Sequence, residues 1–493
     1  MAYSKQTWTN GPDGGTPLSA ARLNHIEDGI EAAAQTADAA LPATGGTVSG
    51  DLDVTGALTR ASLSVAPMSL PFRPAWRDAT TSYLMQSGHG WVVGGAGTST
   101  SDANDTTDFV KGTQSIRVTT AANGIQSNIR KTGLDAMDLT GKMIRLVFKV
   151  DDTTHLERVR FYVGSGGFAN LFMWNVHVHL DGRLNYVQSG EWVTVQVQWA
   201  DVALAEGDDY SISANGEPST TSGFTDLQFA VYDDGEGAVT YHLQSVEIVP
   251  DTTTDYASGL VSITFDDSWK SQYTLARPKM DALGYRGTMY TIADRVGSGP
   301  ERCTLADLRS VQNLSGWEIA GHAYTAANHD LPNAFADLTA EELDAELWGL
   351  KSWLASNGFP SDSFAYPQGR YDKTTDGVAI DEIAAQYWAT SRSIVSETQE
   401  VSVPAMPQRI KAMSGISEAA GGTSPDIVTG DGGVLDRCQR SGGWLILVFH
   451  QITASTPDDA LGISQAGFDA VMDGIKSRGI PVLPVGDVIQ ANR

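Results

Sequence analysis

From Gly259 onward the apolar pattern of the chain changes period, and this change limits the fold more than any other feature. Before it, short segments alternate apolar and polar residues; after it, compact apolar runs alternate with amphipathic stretches of helical period. GLVSITFDD (259–267) is a near-continuous apolar run, as expected of a strand buried on both faces. TLARPKMDALG (274–284) is amphipathic and ends in Gly, GTMYTIAD (287–294) reads as a strand and LADLRSVQN (305–313) as a helix. WEIAGHAY (317–324) is again a strand, and LTAEELDAELWGLKSWLASNG (338–358) a long helix. SFAYPQG (363–369), YWATSRS (387–393), WLILVFHQI (444–452) and IPVLPV (480–485) are further strands, with SQAGFDAVMDGIKSRG (464–479) the last strong helix. Repeated β–α units of this kind predict an α/β domain over 259–493, its parallel sheet closed into, or approaching, a barrel.

In such folds the active site lies at the C-terminal ends of the strands. The first predicted strand ends in Asp266-Asp267, the third runs into His322 with His329 following, the fourth ends near Tyr366, and a late strand ends in His450. These three His are the only ones after residue 258. Adjacent carboxylates at a strand end are costly unless one binds a cation or is protonated. An Asp with two His makes a facial ligand set that leaves positions open for water and substrate. Water acidified by such a metal attacks a carbonyl carbon if a base takes its proton. The second carboxylate suits that role, and a His on the opposite wall suits protonation of the leaving atom.

The order TFDD, GHxxT…H, Tyr-Pro-x-Gly and a hydrophobic strand ending in His resembles the polysaccharide deacetylase (NodB-homology) family. The resemblance implies a distorted (β/α) barrel that removes N- or O-acetyl groups from a sugar polymer with a divalent metal, usually Zn²⁺. It implies Asp266 as general base, Asp267, His322 and His329 as metal ligands, and His450 as general acid. A backbone amide at Tyr366 would hold the oxyanion, and Arg409, in Pro-Gln-Arg-Ile, would orient the base. One departure stands out: the family's two ligand His are separated by three residues, but six separate His322 from His329, and Ala326 stands where the second is expected. On a straight helix such a pair would lie about 10.5 Å apart along the axis, so the intervening residues must bulge as a loop. A His₂Asp site would also accept Co²⁺, Mn²⁺ or Ni²⁺.

Residues 75–250 read as an all-β sandwich, with strands such as SIRVTT (115–120), MIRLVFKV (143–150), VRFYVG (159–164), WVTVQVQWA (192–200), LQFAVYD (227–233) and VTYHLQSVEIV (239–249). The region resembles carbohydrate-binding jelly-roll modules. Trp91, Trp174 and Trp192 are candidates for stacking on sugar, each weighed against a place in the core. His177 and His179 share a strand face and are expected to be a solvated or hydrogen-bonded pair rather than a metal site. Residues 251–258, DTTTDYAS, are polar and read as a linker.

Residues 1–64 form the remaining segment, a short helical and β anchor. Thr16-Pro17 sets up a helix start, and Leu23, Ile26, Ile30, Ala33, Ala37 and Ala40 recur at heptad spacing, which suggests a parallel bundle between identical chains. The alternative is one amphipathic helix lying on its own domain. TPLSAARLNHIEDGI (16–30) and GGTVSGDLDVTGAL (45–58) are similar to the N-terminal region of bacteriophage tail fibres and minor tail proteins. This resemblance implies a homotrimer attached to other tail proteins in the virion, made in the host cytoplasm and acting at the host surface. It accords with an N-terminus, MAYSKQTWTNGPDGG, that has no apolar core of an export signal.

The formal net charge of −26 argues against nucleic acid and anionic membrane surfaces as partners, and no apolar run is long enough to insert into a bilayer. Cys303 and Cys438 cannot build a disulfide framework. The leading expectation is therefore a tail protein that deacetylates a host surface glycan gripped by the sandwich. The alternatives are a non-catalytic receptor-binding fibre that docks glycan on a deacetylase-like fold, and a purely structural tail component.

Overall fold

The computed structural model describes residues 20–39, 79–178, 186–199, 222–251, 256–395 and 398–491. The chain divides into two compact units, Met1–Ser64 and Val65–Arg493. The first contributes one helix, α1 (Ala20–Ala39), along which Ile26 and Ile30 are exposed. The strands expected over 41–64, the Thr16-Pro17 start and Ala40 lie outside the described residues.

The second unit opens with thirteen described strands: β1 (Thr81–Leu84), β2 (Val92–Gly94), β3 (Thr98–Asp105), β4 (Ser115–Thr120), β5 (Ser127–Lys131), β6 (Met137–Asp138), β7 (Lys142–Val150), β8 (Leu156–Ser165), β9 (Asn170–Val178), β10 (Glu191–Gln198), β11 (Ser222–Phe224), β12 (Asp226–Asp233) and β13 (Thr240–Pro250). One sheet runs β10-β7-β13-β4-β3 with β1 added on β13, and the other runs β2-β5-β12-β8-β9. All their pairings are antiparallel. The inward residues, among them Ile116, Phe148, Phe161, Phe229 and Tyr241, form one apolar core, as the period-two pattern requires. Trp91 and Trp174 belong to that core, at 5% and 1% exposure. Trp192 is half-buried and donates its Nε1–H to Asp108 Oδ1 at 3.0 Å. None of the three is an open platform for sugar. His177 lies in β9, and His179 falls outside the described residues.

Beyond the sandwich, six strands form a fully parallel sheet: β14 (Leu260–Asp266), β15 (Thr288–Ile292), β16 (Glu318–Ala323), β17 (Ser363–Ala365), β18 (Thr390–Arg392) and β19 (Trp444–Phe449), in the order β18-β17-β16-β15-β14-β19. Every residue of β14 is buried, so its unbroken apolar run reflects packing on both faces. The ring is completed by a segment too irregular to count as a strand. Ile410 bridges to Arg392 on one side and Met413 to Leu447 on the other, both in parallel sense. The expected distorted barrel is thus a half-barrel of regular strands whose gap is closed by residues 410–413. IPVLPV forms no strand; Pro481 and Pro484 supply no N–H, and the segment makes a single bridge, Val482 to Val261.

Helices α2 (Arg277–Leu283), α3 (Leu305–Ser315), α4 (Ala326–His329) and α5 (Ala340–Ser356) connect successive strands. Capping boxes start two of them, Thr304 with Asp307 on α3 and Thr339 with Glu342 on α5. Gly316 ends α3 with φ at 70°, a conformation that favours Gly. Between β18 and the closing segment the chain crosses to the sandwich, where Val395 joins the sandwich core and Val401 packs with Met143 and Val249. Cys303 and Cys438 are both free and buried.

Candidate active site

At the C-terminal end of β14 the backbone turns through two consecutive left-handed residues, Asp267 (φ 71°) and Ser268 (φ 59°). Such a conformation costs roughly 1–2 kcal/mol per non-glycine residue, and neighbouring groups hold it in place. Arg302 Nη1 donates to the Asp267 carbonyl at 2.9 Å, and the Cys303 amide donates to that of Ser268 at 2.8 Å. The turn makes adjacent carboxylates face different surroundings, Asp266 against the barrel wall and Asp267 towards two His.

His322 sits on β16, and its Nδ1 lies 2.8 Å from the Ala365 carbonyl of β17. That contact places the ring proton on Nδ1 and leaves the Nε2 lone pair facing the site. His329 is the last residue of the single turn α4; its Nδ1 is 2.7 Å from Asp330 Oδ1, and Arg295 in turn binds Asp330. The three inward atoms converge. Nε2 of His329 is 3.3 Å from Asp267 Oδ1 and 3.3 Å from Nε2 of His322, which is 3.9 Å from Asp267 Oδ1. Four-coordinate bonds of about 2.1 Å place neighbouring ligand atoms about 3.4 Å apart, so these three positions fit a divalent ion with room for a fourth ligand. Asp267 Oδ1 is buried, with His329 Nε2 at 3.3 Å and Arg295 Nη1 at 3.6 Å as its neighbouring cationic groups.

The three donors are shifted in different directions. Burial would raise the Asp267 carboxyl, but contact with His329 and the nearby rings of His450 and His322 hold it well below the usual carboxylate range. Burial pushes His322 down to about 4, so its ring is neutral near pH 7. Burial would also lower His329, yet Asp267 and Asp330 outweigh it and raise that ring.

The six-residue interval between the two His folds as the loop it has to be. Thr325 caps α4, accepting from the Asn328 amide at 3.3 Å. Glu346, buried on α5, then organises the bend. Its Oε1 accepts from the Tyr324 and Thr325 amides, both at 2.7 Å, and its Oε2 from Asn328 Nδ2 at 2.8 Å. Asp294 accepts from the amide of Ala326, the position where the second His was expected. Glu346 falls on the apolar stripe of its helix with Leu343, Leu347 and Leu350. A charge in that stripe was the signal that could have found it.

Asp266 is 3% exposed and faces Arg392, whose Nη2 is 2.5 Å from its Oδ2. His450 Nε2 stands 3.8 Å from the same oxygen. Gln272 binds the ends of the two strands together, donating Nε2–H to the carbonyls of Asp266 at 2.6 Å and His450 at 3.0 Å. Asp266 Oδ1 is buried without a partner. Asp266, Asp267, His322, His329 and His450, all expected from the sequence, therefore meet at one place.

Two other expectations need correction. Arg409 does not reach Asp266; its guanidinium binds Asp381, Glu191 and the Tyr186 carbonyl. The arginine that orients Asp266 is Arg392, at the end of β18, and the rule that polar residues at strand ends carry the site could have found it. Tyr366 offers no donor to the site, because its amide is donated to the Arg392 carbonyl at 3.2 Å and its hydroxyl to the Gln408 carbonyl at 2.9 Å.

Residues 254–384 match the family model of polysaccharide deacetylases. The C-terminal domain is thus deacetylase-like. No curated relative matches the chain. Among solved structures, it is similar to the CE4 domain of a multidomain xylanase from the hindgut metagenome of Trinervitermes trinervoides, at 16% identity over 48% of this chain and 91% of that one, TM-score 0.29. It is similar to a peptidoglycan N-acetylglucosamine deacetylase at 16% identity over 48% and 89%, TM-score 0.31. It is also similar to a family 11 carbohydrate-binding module from Clostridium thermocellum at 8% identity over 33% and 89%, TM-score 0.23.

Proposed function

We propose that the C-terminal domain is a divalent-metal-dependent deacetylase acting on an acetylated bacterial surface polysaccharide, carried on a homotrimeric phage tail protein. The observation that carries the catalytic part is the convergence of Asp267 Oδ1 and the two His Nε2 atoms beside Asp266 and His450. Asp267, His322 and His329 would hold the ion, with Zn²⁺ the family expectation. When bound, the ion supplies an acidified water and polarises the acetyl carbonyl.

The chain's own groups do the rest. Arg392 holds Asp266 at the floor of the site, where its carboxylate takes the proton of the attacking water. His450, on the adjoining strand end, delivers a proton to the leaving nitrogen or oxygen as the acetyl group departs. Asp330 and the Ala365 carbonyl keep the two ligand rings in one tautomer each.

The tail assignment rests on the resemblance of residues 16–30 and 45–58 and on the exposed Ile26 and Ile30 of α1, a surface suited to helix pairing. The test is acetate release from acetylated chito-oligosaccharides and from Gram-positive cell-wall material, together with the mass of the full chain in solution. Acetate from wall material and a trimeric mass support the reading. No acetate from either substrate while metal is bound contradicts the enzyme, and a monomeric mass contradicts the assembly.

A further inference from the structure

Arg409 is 1% exposed, and it joins the sandwich to the barrel. Its Nη2 lies 2.6 Å from Glu191 Oε2 on β10 and 2.6 Å from Asp381 Oδ2 in the barrel, and its Nη1 donates to the Tyr186 carbonyl at 3.2 Å. The next residue, Ile410, begins the segment that closes the ring. The Ile410 amide donates to the Ser391 carbonyl at 3.0 Å, and the Ser393 amide donates to the Ile410 carbonyl at 2.9 Å. Arg392, which binds Asp266, is the residue between those two bonds.

We propose that Glu191, a sandwich residue, is a positioning residue for the deacetylase site: it fixes Arg409, Arg409 fixes the closing segment, and that segment fixes Arg392 against Asp266. The inference rests on the deacetylase reading and adds to it that the sandwich is part of the catalytic scaffold. The route is short and buried at its centre. Glu191 is the one sandwich carboxylate on Arg409 among the described contacts, and the excursion through residues 398–409 meets the edge strand β10 at Glu191–Arg409 and Gln196–Val403. Gln196, five residues further along β10, holds the same excursion through the Val403 carbonyl without touching Arg409, and so serves as a control.

The experiment measures kcat and KM for acetate release, together with amide hydrogen exchange, in the full-length wild type, Glu191→Gln and Gln196→Ala. In Glu191→Gln, kcat falls about tenfold with KM within about twofold, because a misplaced Arg392 affects the chemistry more than substrate binding. The Ser393 and Ile410 amides exchange at least about tenfold faster, while those of β14 and β15 stay protected. Gln196→Ala does neither. Unchanged exchange at Ser393 and Ile410, or faster exchange with undiminished kcat, overturns the proposal. A wild type that releases no acetate overturns the deacetylase reading instead, and exchange then decides the mechanical link by itself.

Discussion

The Nε2 atoms of His322 and His329 lie 3.3 Å apart although the two residues are seven positions apart in the chain. A straight helix cannot bring them together, and a strand would separate them further. The approach is made by ending β16 at Ala323, bending through Tyr324 and Thr325, and adding the single turn of α4.

His329→Ala should remove one of the three proposed ligands and the ring's bond to Asp330, while the bend keeps its bonds to Glu346 and Thr325. We expect metal affinity to fall by at least about 100-fold, more than the loss typical of an outer-shell partner. Titration of the purified variant with Zn²⁺ or Co²⁺ measures this, and unchanged affinity would place the third ligand elsewhere.

Glu346→Gln replaces an acceptor-only carboxylate with an amide that presents N–H groups to backbone donors. The bend should lose its template. The expected outcome is a 10–100-fold weaker metal affinity and about 1–3 kcal/mol lower stability from unsatisfied buried amides, read by metal titration and urea unfolding.

Arg392→Met should leave metal binding within about threefold while lowering kcat by at least about 100-fold, the scale of a lost acid–base group. Arg409→Met should disturb domain packing as well, so its loss of activity comes with a lower melting temperature. Steady-state kinetics beside thermal unfolding separates the two arginines.

Cutting the chain at residue 256 should not give a stable catalytic domain. The fragment exposes Val395 and Val401, which the sandwich buries, and leaves Arg409 without Glu191. Arg409 keeps Asp381, so the main loss is the apolar burial of Val395 and Val401 against the sandwich. Aggregation or loss of a cooperative transition in residues 256–493, where the full chain unfolds cooperatively, is the expected result.

The parts of the site legible in the sequence are those tied to strand ends. Asp266, Asp267, His322 and His450 each follow an apolar run, and period alone sets where such runs stop. His329 needed the added constraint that six residues had to loop. Arg392 obeys the same strand-end rule, whereas the Pro-Gln-Arg-Ile setting of Arg409 gives no view of its partners across the domain boundary. Tyr366 misled because a sequence motif does not show whether an amide is already spent in a sheet. The sandwich was readable from its alternation, but Trp91 and Trp174 could not be sorted into core or surface without register. The closing segment at 410–413 has no strand pattern, because it bridges two strands by only a few bonds.

The most direct test separates metal holding from proton transfer. It measures Zn²⁺ binding and acetate release from acetylated chito-oligosaccharides for wild type, Asp266→Asn and chelator-treated enzyme. The account predicts that wild type releases acetate, that chelation stops it and added metal restores it, and that Asp266→Asn binds metal as wild type does but releases at least about 100-fold less acetate. Full activity in Asp266→Asn, or acetate release that survives complete removal of metal, would contradict it.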